Sequence, residues 1–169
     1  LLDLGCGVGG IALEGHRRTG ATIIGVDISS RAIRTARARA ASAAASEHVS
    51  FVRCPIARPP QTGATAAYAL DSLMFAPVDA DLVRKIRDAL SGRPRLFATV
   101  LAVGTEARDP LAALSAGIGL IVTRSEDVTE ALLARSLRRR RVARDLLGGD
   151  RHSLRGRLAM TLVIAEEAL

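Results

Sequence analysis

The chain has 169 residues, of which 49% are hydrophobic and 24% charged, a composition typical of one globular domain with its own core. Its net charge of +7 is local, because residues 135–157 alone hold nine arginines against two aspartates. This distribution argues against a broadly basic nucleic-acid-binding surface. The two cysteines, Cys6 and Cys54, have no spacing that suggests a disulfide framework or a zinc site, and no apolar run is long enough to cross a bilayer. We therefore expect a cytoplasmic protein.

The first hundred residues alternate between strand-like and helix-like patterns. The predicted strands are residues 1–4, 21–27, 49–54, 66–70 and 95–103. The predicted helices are residues 10–18, 29–45 and 79–90, the second of them capped by Ser29 or Ser30. Such alternation indicates an α/β fold, with a doubly wound, Rossmann-like, mostly parallel sheet and helices on both faces.

After residue 103 the pattern is weaker. It predicts a helix at 110–116, a sixth strand at 119–124 and a helix at 129–147. Residues 154–169 are predicted to be helical because apolar residues occur at 158, 162, 165 and 169. We expect a single domain, with a cofactor-binding half at 1–103 and a variable C-terminal part at 104–169.

A glycine-rich turn follows the first strand directly, in the segment DLGCGVGG at residues 3–10. Glycines permit a tight turn and close backbone approach to a ligand, and the next helix directs its first N–H groups at an anion. Gly5, Gly7 and Gly10 also satisfy the dinucleotide fingerprint. The turn could therefore hold either a dinucleotide or another nucleoside ligand that carries an ammonium group. Asp3 favours the second, since its carboxylate would repel a pyrophosphate and attract an ammonium group. Asp27, at the end of the second strand, can accept both hydroxyls of a ribose.

These segments resemble a known family. LLDLGCGVGG followed by IIGVDIS is similar to motifs I and II of the class I S-adenosylmethionine (SAM) dependent methyltransferases. VSFVRC, AYALDSLMF and RPRLFATVLAV resemble the third, fourth and fifth strands of that family, so the resemblance covers residues 1–103. It implies SAM as the cofactor and methyl transfer to an O, N or C atom of a small-molecule acceptor.

The resemblance also implies roles for individual residues. Asp3 would act on the SAM ammonium largely through water, Asp27 would hold the ribose diol and Ile28 would pack on the adenine. Asp71 is the candidate catalytic residue on the acceptor side. The full set of candidate cofactor-binding residues is Asp3, Gly5, Cys6, Gly7, Gly9, Asp27, Ile28, Ile56, Leu70 and Ser72.

Two positions depart from the family pattern. Pro55 stands where an aspartate commonly accepts the adenine amino group, which leaves the Ile56 N–H to serve the adenine ring. Thr65 stands where a Phe-Asp pair often opens the fourth strand. Cys6 is expected to pack rather than act as a nucleophile. No metal-ligand spacing is visible, so we expect His16, His48 and His152 on the surface.

Three alternatives remain open from the sequence. They are a non-catalytic SAM-binding domain, a nucleic-acid methyltransferase that uses the cluster Arg138–Arg141, and an NAD-type oxidoreductase. The nucleic-acid reading is disfavoured because aromatic stacking residues are scarce.

The chain also begins on a strand, and relatives place a helical segment before it. We expect that segment and a seventh strand after Leu169 to be missing, and the chain to be less stable and less active than a longer form.

Overall fold

A computed structural model describes residues 1–103, 120–127 and 158–167. The strands are β1 (Leu2–Leu4), β2 (Ile23–Asp27), β3 (Val49–Arg53), β4 (Ala66–Ala69), β5 (Arg95–Val103), β6 (Leu120–Asp127) and β7 (Leu158–Glu167). The helices are α1 (Gly10–Thr19), α2 (Ser30–Ser42) and α3 (Ala80–Asp88), with a 3₁₀ turn at Leu73–Phe75. The elements predicted within residues 1–103 are all present, with ends that differ by up to three residues.

The strands form one seven-stranded sheet in the order β3-β2-β1-β4-β5-β7-β6. The first five strands in this order run parallel, and β7 lies antiparallel between β5 and β6. Strand order reverses beside β1, because the chain moves outward to β3 and then returns to form β4. In sheets of this kind the ligand crevice lies at the strand carboxyl ends at this reversal.

The prediction of a helix at residues 154–169 is wrong. Residues 158–167 form β7, which pairs with β5 along nine residues and with β6 on its other side. An interior strand can be apolar on both faces, so its sequence lacks the alternation that separates strand from helix. The expectation that the seventh strand is missing is therefore also wrong.

The sixth strand is confirmed at Leu120–Asp127. The helices predicted at 110–116 and 129–147 lie outside the described residues, as do the arginines at 138–141. Among the described residues, no helix is long and apolar enough to span a membrane.

Two apolar cores lie on opposite faces of the sheet, since neighbouring strand residues alternate between them. One core packs α3 against β1, β4 and β5 through Leu2, Leu4, Ala67, Leu82, Val83, Ile86 and Leu96. The other packs α1 and α2 against β2 and β3 through Ala12, Ile23, Ile33, Ala36, Val49 and Phe51. The predicted α/β fold with helices on both faces is confirmed.

Side-chain caps fix where two of the helices begin. Ser29 accepts a hydrogen bond from Ala32 N at 3.2 Å, and Asp79 accepts one from Leu82 N at 2.8 Å. Each satisfies a backbone N–H that a helix start leaves unpaired. Helix α1 begins without such a cap, on a left-handed Gly9, because its start belongs to the glycine-rich turn.

We expect Ile86→Ala to lower the free energy of unfolding by about 3 kcal/mol, because it leaves a cavity in the core under α3. Ile86 is 1% exposed, whereas Ile11 is 51% exposed, so Ile11→Ala is the matched control. We expect the control to cost less than about 1 kcal/mol in urea unfolding. Equal losses for the two variants would contradict the assigned core.

Candidate active site

The glycine-rich turn folds back onto the end of β2. The N–H groups of Gly5 and Cys6 both donate to the Val26 carbonyl, at 2.8 and 2.9 Å. Gly5, Gly7 and Gly9 have φ angles of 77°, 53° and 76°, in the left-handed region that side chains disfavour. The spacing of these glycines is therefore required by the path of the chain around the turn.

The glycines also differ in what surrounds them. A Cβ on Gly5 would lie 2.3 Å from Ser72 Cβ, and one on Gly9 would lie 2.5 Å from the Phe51 ring. These two positions let the turn lie directly against Ser72, which follows β4, and against β3. A Cβ on Gly7 would meet no heavy atom within 4 Å, so this side of the turn leaves room for a ligand.

Asp27 joins the turn to the end of β2 through its side chain. Its Oδ2 accepts from Gly7 N at 2.9 Å and its Oδ1 accepts from Ser29 N at 2.8 Å. Each carboxylate oxygen has a further lone pair, so the group can still accept two hydroxyls. The next residue, Ile28, is 67% exposed and presents an apolar side chain beside this carboxylate.

Asp3 is a buried carboxyl beneath the turn, with 3% of its surface exposed. Its Oδ2 has no hydrogen-bond partner among the described residues. Burial raises the pKa of Asp3 to about 7, an effect that the Tyr68 hydroxyl opposes and the charge of Asp27 reinforces. A group this deep fits the expected water-mediated action on an ammonium better than direct contact with it.

Tyr68 is the site residue that the sequence reasoning missed. It lies in β4 directly beside Asp3 in the parallel ladder, and its hydroxyl is also buried without a hydrogen-bond partner. The Tyr68 hydroxyl is close enough to Asp3 to lower its pKa as a hydrogen-bond donor would, although the two side chains are not aligned for a well-formed hydrogen bond. Aligning the predicted first and fourth strands could have placed Tyr68 beside Asp3. Tyr68 is conspicuous in the sequence as the single tyrosine of the chain.

The end of β4 reaches the same turn. Ser72 is buried, and its Oγ donates to the Leu4 carbonyl at the end of β1. Leu70 is half-buried, and Asp71 is exposed with a left-handed φ of 55°. Non-glycine residues in this conformation are uncommon and concentrate at functional sites. The structure thus brings Ser72 against Gly5 and leaves Asp71 open to solvent beside it.

The end of β3 closes the site on the other side. Cys54 N donates to the Asp27 carbonyl at 3.0 Å, and the Ile56 side chain comes near Gly5, 3.3 Å from a Cβ built there. Cys6 is buried, and burial followed by the charges of Asp3 and Asp27 raises the pKa of its thiol to about 12. Such a thiol packs and does not act as a nucleophile.

The described residues contain no group of histidine, cysteine and carboxylate side chains that could hold a metal ion. His16 and His48 stack on each other with ring centroids 5.1 Å apart. His152 lies outside the described residues.

Comparisons with known proteins identify the family of the chain. The sequence model of the methyltransferase domain matches residues 1–92, which is more than half of the chain. The chain belongs to the methyltransferase-domain family. This membership supports methyl transfer over the NAD-type alternative. No curated protein matches the chain.

Solved structures share the fold. Geranyl diphosphate C-methyltransferase from Streptomyces coelicolor A3(2) is 23% identical with a TM-score of 0.83, over 99% of this chain and 72% of that one. A putative sarcosine dimethylglycine methyltransferase from Galdieria sulphuraria is 14% identical with a TM-score of 0.78, over 99% and 77%. The [4+2]-cyclase SpnF is 20% identical with a TM-score of 0.75, over 99% and 75%.

The residues present fit SAM in three respects. The open side of Gly7 leaves space for a ligand against the backbone. The Oδ2 atom of Asp3 is a buried acceptor without a hydrogen-bond donor, and an ammonium group can provide one. The Asp27 carboxylate and the exposed Ile28 suit a ribose and an adenine face.

We expect Asp3→Asn to stabilise the chain increasingly as pH rises. The pKa of Asp3 is about 7 in the folded chain against 3.8 for an ordinary aspartate, so its neutral form favours folding below about pH 4. That contribution is lost as pH rises from about 4 through 7, at a cost on the order of 4 kcal/mol that asparagine does not incur. Urea unfolding of both proteins at pH 4 and pH 8 measures it.

The control for this prediction is Asp88→Asn, at an exposed aspartate on α3. We expect its effect on the free energy of unfolding to change little between the two pH values. A stability difference between Asp3→Asn and the parent that stays constant with pH would contradict the buried-carboxyl assignment.

Proposed function

We propose that the chain transfers the methyl group of SAM to a small-molecule acceptor at the carboxyl ends of β1, β2 and β4, in the cytoplasm. The observation that supports this most is the convergence of Asp3, the open face of Gly7 and the Asp27 carboxylate on one turn. These groups match the ammonium, the backbone-facing body and the ribose of one ligand. A pyrophosphate ligand would gain nothing from the buried Asp3 carboxyl, whose ionised form would repel it.

Each end of the site has its own part in holding SAM. Asp27 keeps the ribose in place with a carboxylate that two backbone N–H groups already orient. Ile28 covers the adenine from one side, and the Ile56 N–H serves its ring in place of the aspartate that Pro55 replaces. Leu70 and Ser72 border the methyl end, with Gly5 and Gly9 shaping the turn between them.

The protein needs little chemistry of its own for this reaction. SAM supplies a methyl group on a sulfonium, which is already activated for transfer. The residues described above contribute position, because a fixed donor and an aligned acceptor remove much of the entropic barrier. The exposed Phe75, on the turn that follows Ser72, offers an apolar surface at the acceptor end.

Asp71 is the candidate for acid–base chemistry. It follows β4 directly, is exposed, and is held in a strained backbone conformation next to the anchored Ser72. A base at this position would accept the proton of an acceptor that loses one during methylation. Acceptors that lose no proton would not depend on it.

A non-catalytic or different activity is the second candidate. SpnF has this fold and is described as a [4+2]-cyclase, so the fold supports chemistry other than methyl transfer. Pro55 and Thr65 favour this candidate, because both replace residues that the family commonly uses. SAM binding without turnover of any acceptor would support it.

We expect Asp27→Ala to weaken SAM binding about tenfold or more, because two charge-assisted hydrogen bonds to the ribose are lost. Isothermal titration calorimetry with SAM measures the effect. Asp27→Asn, which keeps one oxygen, should lose less, and Glu47→Ala at an exposed loop residue should lose nothing. SAM binding by Asp27→Ala as tight as in the parent would refute the assigned ribose site.

We expect Asp71→Asn to lower kcat about a hundredfold for acceptors that lose a proton, with SAM affinity unchanged. Methyl-labelled SAM and a panel of small alcohols, amines and carbon nucleophiles provide the assay. Asp88→Asn is the control at an exposed aspartate distant in sequence from the site. An unchanged kcat for Asp71→Asn would remove this residue from the mechanism.

A further inference from the structure

Two buried polar groups beneath the glycine-rich turn lack hydrogen-bond partners, and both lie on neighbouring strands. Asp3 in β1 and Tyr68 in β4 are direct partners in the parallel ladder. Asp3 Oδ2 and Tyr68 Oη are the two buried side-chain atoms without a partner in the described part of the chain. Leaving one such atom unpaired is costly, and a pair of them side by side indicates a function.

No cation compensates the carboxyl from within this part of the protein. The groups that act on Asp3 are the Tyr68 hydroxyl and the negative Asp27, and the Cys6 thiol lies under the influence of both carboxyls. A positive charge from outside is therefore what an ionised Asp3 requires. The ammonium of SAM, placed over the turn, supplies one.

We propose that Tyr68 is a positioning residue: when the amino group of the cofactor binds, Asp3 releases its proton to solvent and the Tyr68 hydroxyl donates a hydrogen bond to the new carboxylate. This inference rests on the proposed function. The step breaks one O–H bond on Asp3, and the proton passes to buffer. Tyr68 keeps its own proton throughout.

The electrostatics of the pair support this division of roles. Burial, followed by the charge of Asp3, raises the pKa of Tyr68, so its hydroxyl is a donor at every pH of interest. Burial raises the pKa of Asp3 to about 7, so this carboxyl is neutral in much of the free protein at pH 6. Tyr68 opposes that rise, and its removal would make the ionisation of Asp3 harder.

The test is Tyr68→Phe, with S-adenosylhomocysteine as the probe because it carries the same amino group. We expect the variant to bind it about tenfold more weakly than the parent at pH 6 and less than about twofold more weakly at pH 8.5. The amino group of S-adenosylhomocysteine titrates in the same way for both proteins, so its effect cancels in the ratio of the two affinities. A purely structural role would give the same ratio at both pH values, and that result would overturn the proposal.

A double-mutant cycle with Asp3→Asn separates the pair from its surroundings. In the Asp3→Asn background, we expect Tyr68→Phe to change affinity by the same small factor at both pH values. Titration calorimetry in buffers of different ionisation enthalpy should show that the parent releases a fraction of a proton on binding at pH 6 and almost none at pH 8.5. No proton release at pH 6 would overturn the proposal even if a variant failed to fold.

Failure of this inference and failure of the proposed function look different. If the parent binds neither SAM nor S-adenosylhomocysteine at any pH, both are refuted. If the parent binds S-adenosylhomocysteine and the ratio is flat with pH, only the role of Tyr68 is refuted. Melting temperatures of the ligand-free variants confirm that each is folded.

Discussion

The attachment of the glycine-rich turn to the end of β2 is the constraint on which the site depends. One backbone carbonyl, from Val26, accepts two successive N–H groups, and the side chain of the next residue, Asp27, holds a third. The carboxylate that is assigned to the ribose is therefore also the group that shapes the turn. If Asp27 binds the ribose as proposed, the residue that shapes the turn is also the one that positions the cofactor.

Asp27 stabilises the turn as well as serving the proposed site, whereas the buried carboxyl of Asp3 is costly to the folded chain. The raised pKa of Asp3 predicts that its ionised form destabilises the folded chain near neutral pH, since no cation among the described residues neutralises its charge. An apolar residue would serve the core better at this depth, since neighbouring Leu2 and Leu4 are fully buried. A strained or costly feature at the carboxyl edge of a sheet is best explained by the ligand that compensates for it.

Much of the first half could be predicted from sequence because its signals are local. The glycine-rich turn and the cap at Ser29 each act within a few residues of where they stand. Tyr68 and β7 could not be found this way. The significance of Tyr68 depends on its register with Asp3, 65 positions earlier, and β7 owes its conformation to pairing with two other strands rather than to its own periodicity.

The two departures from the family pattern differ in what they affect. The site keeps its shape at Pro55, because β3 is fixed to the ribose strand through backbone atoms, with Cys54 N on the Asp27 carbonyl. The Ile56 side chain lies near Gly5, so the chain after Pro55 still runs beside the glycine-rich turn. If this chain binds SAM as proposed, Pro55 provides no acceptor for the adenine amino group, and we expect the effect on cofactor affinity rather than on the geometry of the strand. Thr65 precedes β4, whose ladder with β1 and β5 is intact, so this departure from the family pattern leaves the sheet unchanged.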